Sequence, residues 1–163
     1  MATTTVIAEF KRALLDEIQA LAIPSATAAA PTSVQTEYAR PPIDRLRREV
    51  VYFDSDMSTA EDTEYRLSSG RRKRYNLWNL DIIVSTEILA DPESAEQRAF
   101  VIAAAIESFL AANSQPAEWA NTPVASGALW TRVMGYDVEH EDTSEGFRLV
   151  EITIELEMKE RLI

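Results

Sequence analysis

From Val150 to Met158 the chain alternates without a slip. Val150, Ile152, Ile154, Leu156 and Met158 are apolar, while Glu151, Thr153, Glu155 and Glu157 between them are polar and mostly negative. Successive side chains of a strand point to opposite faces, so this run demands a sheet with one dry face and one wet face. Such a sheet is antiparallel in style and needs helices over its dry side. The same period of two governs residues 75–89. There Trp78, Leu80, Ile82, Val84 and Ile88 share one face, and Asn79, Asp81, Ser85 and Glu87 the other. The rest of the chain has to complete or cover this sheet.

Two segments carry the helical period. Ile7, Phe10, Leu14, Ile18 and Leu21 recur every three or four residues, with Glu9, Lys11, Arg12, Asp16 and Glu17 largely opposite. Pro24 closes this helix, and a connector of small residues follows to Ser33. The second helix opens on Asp91 as N-cap, Pro92 in the first position and Glu93 at the positive end of the dipole. Its stripe is Ala99, Ile102, Ala103, Ile106, Phe109 and Leu110, small enough in places to lie close on a sheet. Residues 34–39 predict a short strand ended by Pro41 and Pro42, and residues 48–53 a stronger one. Residues 129–139 and 147–159 predict a closing hairpin turned at Gly146. Residues 54–70 are polar and aperiodic and predict a long mobile loop, a length that in a compact domain marks function or disorder. The order α-β-β-β-α-β-β makes the fold α+β: a single, mostly antiparallel sheet with two helices packed on one face. A length of 163 residues predicts one domain over 1–163.

Charge and residue usage exclude several functions. With no cysteine, disulfides and thiolate metal sites are ruled out. A formal net charge of −11 opposes sequence-independent binding of duplex DNA by the whole surface. The first eighteen residues mix charge into every turn, unlike a signal peptide, and no apolar run approaches the ~20 residues of a membrane span. The expectation is a soluble protein that stays in the compartment where it is made, with no membrane partner.

No catalytic constellation is legible. With 4 glycines, a phosphate-cradling loop, dinucleotide fingerprint and nucleophile elbow are all missing. Glu139, His140, Glu141 and Asp142 offer hard ligands at a predicted turn, but their spacing matches no calcium loop, and a solvated hairpin tip is the expectation. Glu151, Glu155 and Glu157 lie on one wet strand face with no evident pocket to separate their pKa values into acid and base. No enzyme, metal or cofactor is expected. Of the tryptophans, Trp78 reads as core, Trp130 is ambiguous, and Trp119 is expected in a loop capping the open end of the sheet.

The stretch from Val133 to Met158 resembles the closing hairpin of the tail terminator proteins of long-tailed, lambda-like bacteriophages. Gly135, Tyr136 and Asp137, the acids from Glu139 to Asp142, and the final Glu157 and Met158 carry the resemblance. The upstream order of elements matches as well. The departures are the connector at 22–47, the terminal Lys159 to Ile163 and a basic knot at Arg71, Arg72, Lys73 and Arg74. The resemblance implies a ring, usually of six subunits, seated on the last disc of the tail tube. Such a ring ends tube polymerisation and offers a surface for head–tail joining. The implied partners are the chain itself, the tail tube protein and a head-completion or connector protein. The implied location is the neck end of the virion tail, after assembly in the bacterial host cytoplasm. DNA would pass through the channel without specific binding, past Glu151, Glu155 and Glu157 if they face it. A different head–tail joining or tail-completion protein of the same fold is the alternative.

The basic knot fits this role as an interface. Ring contacts are heterologous, so each subunit needs two complementary patches. Arg71, Arg72, Lys73 and Arg74 are expected to meet Asp54, Asp56, Glu61, Asp62 and Glu64, or the acids at 139–142, on a neighbour or on the tube. A solvated strand end whose charges blunt edge pairing, and a small nucleic-acid contact, are the competing readings.

Overall fold

In a computed structural model the described residues are 3–24, 34–42, 49–64, 73–89, 92–124, 127–142 and 147–162. They form helix α1 (Thr3–Ala20), strand β1 (Gln35–Glu37), strands β2 (Glu49–Glu64) and β3 (Lys73–Leu89), helix α2 (Pro92–Ala112), a short 3-10 turn (Pro116–Glu118), and strands β4 (Ala128–Asp142) and β5 (Phe147–Leu162). One five-stranded sheet runs in the order β1-β2-β3-β5-β4. Only β1 is parallel to its neighbour, and the other three pairings are antiparallel. The class is the expected α+β, with its seven main elements in the expected order.

Alternation sets the core. Trp78, Leu80, Ile82 and Val84 of β3 stand opposite Met158, Leu156, Ile154 and Ile152 of β5, and all are buried. Directly opposed residues of an antiparallel pair share a face, so these form one apolar floor. Ala95, Ala99, Ile102, Ala103, Ile106 and Leu110 of α2 lie on it. Phe10, Leu14 and Ile18 of α1 complete the same core. Trp119, expected as a cap at the open end of the sheet, is instead a buried wedge between the helices. Its ring centroid is 5.6 Å from that of Phe10 and 5.8 Å from that of Phe109, and its Nε1 donates to the Asn113 carbonyl at 2.8 Å.

Several boundaries and burials differ from the sequence reading. The polar run assigned to a loop from residue 54 is strand as far as Glu64, paired with β3 from Lys73 to Leu80 after a bulge between Phe53 and Met57. Residues 65–70 of that expected mobile loop lie outside the described residues. The acids from Glu139 to Asp142 belong to β4 rather than to a turn, and the end of the chain prolongs β5 to Leu162. The two helix-capping residues divide: Pro92 opens α2, while Asp91 lies outside the described residues. On α1, Lys11 and Glu17 are buried although placed on the solvent face, and Leu21, just past its end, is exposed although placed in the apolar stripe.

Both buried charges have a local reason. Glu17 accepts from the backbone N–H groups of Asn121 and Thr122 at 2.7 and 2.8 Å and from Asn121 Nδ2 at 2.8 Å. Burial alone would raise its pKa, but these three donors outweigh it and hold the carboxyl below its ordinary value. Lys11 lies over the rings of Tyr38 and Phe53, at 5.5 and 5.3 Å. Burial pushes its pKa down against the opposing pull of Asp54.

Candidate functional site: the bare sheet face and its edges

The face of the sheet away from the helices holds the side chains that the core register turns outward. Across its middle, Asp81 of β3 stands opposite Glu155 of β5, which stands opposite Gly135 of β4. A Cβ on Gly135 would meet the Glu155 carboxylate at 3.3 Å, so glycine leaves room for that carboxylate in a strand where it otherwise has little use. The bulge in β2 adds Asp54 and Asp56 to the same neighbourhood. Partial burial, then Glu155, then Asp54 and Asp56 push the Asp81 pKa up. Toward one end, Glu151 accepts from the Tyr52 hydroxyl at 3.4 Å. Burial and this carboxylate push the Tyr52 pKa up to about 12. Toward the other end, Arg132 pairs with Glu157 at 2.7 Å and lies 5.0 Å from the Trp130 ring, while Lys159 lies 4.2 Å from the Tyr75 ring. The bare face is therefore acidic in its middle and aromatic and basic at one end, while Val50, Tyr52 and Ser85 on its β2 side are buried.

Glu151, Glu155 and Glu157 are on this bare face, as the alternation predicts, but they are not equivalent. Glu157 is engaged by Arg132, Glu151 by Tyr52, and Glu155 faces Asp81. Asp81 belongs to the same acidic patch and was not singled out by sequence. Its position in the alternation of β3 was legible, but the strand pairing that sets it against Glu155 was not.

Of the basic knot, Lys73 and Arg74 lie beside the Glu61–Glu64 end of β2. Arg74 pairs with Glu61 of the same chain at 2.6 Å. Thr63 is in register with Arg74, Glu64 with Lys73, and Asp62 with Tyr75. Arg71 and Arg72 lie outside the described residues. Opposite charges expected to join two subunits thus meet first within one. Asp54 is also locally engaged, with its carboxylate accepting the Ser55 N–H at 2.7 Å. Asp56 and Glu61 are exposed.

His140 is 3.8 Å from Glu96 of α2 and borders a shallow recess with Glu139, Glu141, Leu149 and Glu151. Tyr136 of the hairpin motif hydrogen-bonds Glu107 of α2, and burial together with that carboxylate raises its pKa. Among the described residues no group of three or more His, Asp or Glu side chains is placed to hold a metal ion, and no helix is long and apolar enough to cross a membrane.

A scan against models of known protein families finds no match to the chain, and neither does a search of curated proteins.

Proposed function

We propose that this chain is a phage tail-assembly protein of the terminator kind. It acts without catalysis, closing into a ring, most simply of six, that caps the tail tube, ends its polymerisation and presents the surface for head–tail joining. The ring is assembled in the host cytoplasm and remains at the neck of the virion. Its partners are its own copies, the tube protein and a head-completion or connector protein.

The observation that carries this reading is the bare sheet face. A five-stranded sheet has its helices on one side. On the other side Glu155, Asp54 and Asp56 gather near Asp81, whose pKa is raised by partial burial first and by these carboxylates second. Turned toward a channel, such a patch repels the phosphate backbone and leaves passing DNA unbound. The closing hairpin adds support, because Gly135, one of the residues that carry the family resemblance, makes room for one of those carboxylates.

Complementation tests the reading. In a phage lacking this protein, the wild-type chain should restore tails of uniform length, and without it tubes should overgrow. Native mass measurement of the isolated protein over a range of concentrations should find a closed ring. Tails of normal length without the protein, or a tight two-fold dimer under all conditions, would count against a terminator.

A further inference from the structure

Among the described residues no strand lies beside the outer edge of β4. β4 is the last strand of the sheet, and its far side meets the chain again at Thr131, whose N–H donates to the Ser114 carbonyl at 2.8 Å. Beyond the bulge between Val133 and Gly135, the Val138 N–H is held by the carboxylate of its own neighbour, Asp137, at 3.0 Å. In an antiparallel ladder, outward-pointing backbone groups recur at every second residue, so Tyr136 and His140 share this edge with Val138. A side-chain carboxylate on an edge N–H is a removable cap, because a strand carbonyl makes the same bond.

The side chains flanking this edge specify what docks there. On the helix side, Tyr136 is 42% exposed and, on the adjoining flank of α2, Phe100 44%; Met134, 52% exposed, sits in the bulge just before them. On the bare side stand Asp137, Glu139 and Glu141, all exposed, with Glu151 opposite Glu139 behind them. An added strand meets, with every second residue, the Tyr136 and Phe100 rings bordered by Glu96 and Glu107 of α2, and carboxylates of β4 with the residues between. From this charge complementarity we infer that the β4 edge from Tyr136 to His140 binds an extended segment of another protein chain in which basic and apolar residues alternate. Its carbonyl displaces Asp137 from the Val138 N–H, and its basic side chains engage Asp137, Glu139 and Glu141. The inference rests on the edge alone and holds whether or not the chain closes into rings.

The test uses the full chain and two synthetic peptides of about six residues, a common strand length, one alternating Arg with Val and the other Glu with Val. The Arg-Val peptide should bind at least about tenfold more tightly at low salt, since opposed like charges disfavour the wrong partner. Amide exchange at Val138 and His140 in the wild type should slow by at least about tenfold in the saturated complex, because a strand bond protects what a surface cap does not. The double variant Glu139→Lys, Glu141→Lys, with its fold checked by circular dichroism, should reverse the preference between the peptides. Equal affinity for both peptides overturns the inference. So does binding of the Arg-Val peptide with unchanged exchange at Val138 and His140, which would mark a diffuse charge attraction without strand addition.

Discussion

Ala22 and Gly127 occupy the same unusual region of backbone space with opposite justification. Both have positive φ, 49° for Ala22 and 106° for Gly127. Ala22 follows the end of α1, where a left-handed residue lets the closing N–H groups reach back to Glu17, Ile18 and Gln19, and where glycine is the usual choice. Ala22→Gly should therefore stabilise the protein by about 0.5–1 kcal/mol, the left-handed penalty of ~1–2 kcal/mol being partly offset by the greater freedom of glycine in the unfolded chain. Gly127→Ala should destabilise it by at least about 1 kcal/mol, because it meets that penalty and also brings a Cβ within 3.2 Å of the Arg161 carbonyl. Denaturant midpoints at unchanged slope measure both. Asp81 yields a prediction in pH. Its folded pKa is raised, so between its ordinary range and the folded value the native state binds more protons than the unfolded chain, and stability falls as pH rises through that window. Asp81→Asn should be more stable than wild type at neutral pH, and the advantage should vanish at acidic pH, where the carboxyl is protonated in both states. Urea melts at several pH values follow the difference. None of these three positions stands out in the sequence, because backbone sign and charge crowding depend on neighbours distant along the chain.

At the scale of elements, what the sequence revealed and concealed has a single physical cause. Strands β3 and β5 are covered by α2 on one face only, so burial wrote a period of two into them, and both were legible. The outer half of β2 lies beyond the helices, and its residues 55–61 are all exposed. No apolar face is required there, and a strand held by its backbone ladder to β3 reads as a polar loop. The reverse error occurred on α1. Glu17 and Lys11 are charged yet buried, because burial there is satisfied by the Asn121 and Thr122 donors and by two aromatic rings. Joining the elements, Glu49 at the start of β2 is buried and pairs with Arg98 of α2 at 2.6 Å, while Arg98 also donates to the Pro24 carbonyl just past α1. One guanidinium thus ties α2 to β2 and to the exit of α1. Glu49→Ala should cost about 3–5 kcal/mol, the range for breaking a buried pair and leaving one charge behind. Glu49→Ala with Arg98→Met should recover much of that loss. A double-mutant cycle in thermal or urea unfolding checks the coupling.

For the whole molecule the open question is whether the charged hairpin of β2 and β3 faces inward to the chain or outward to a neighbour. Arg74 and Glu61 already satisfy each other across that hairpin, and both are well exposed, so their pairing adds little to stability and is weakened by salt. A simple reversal, Arg74→Glu, removes this internal pair and any external contact together and cannot tell the two apart. Exchanging the charges does. In Arg74→Glu with Glu61→Arg the pair within the hairpin is restored with opposite polarity, so a role confined to holding β2 against β3 predicts wild-type behaviour. A role in meeting a neighbouring subunit or the tube predicts failure, because the order of charges seen from outside is inverted while the fold is preserved. Under the terminator reading the exchanged variant should keep the wild-type melting temperature within about a degree or two, since exposed substitutions change stability by less than about 0.5 kcal/mol. It should lose ring formation in sedimentation and fail to restore uniform tail length. Rings and tails like those of the wild type would assign Arg74 and Glu61 to the hairpin alone and move the search for the intersubunit contact to the β4 edge.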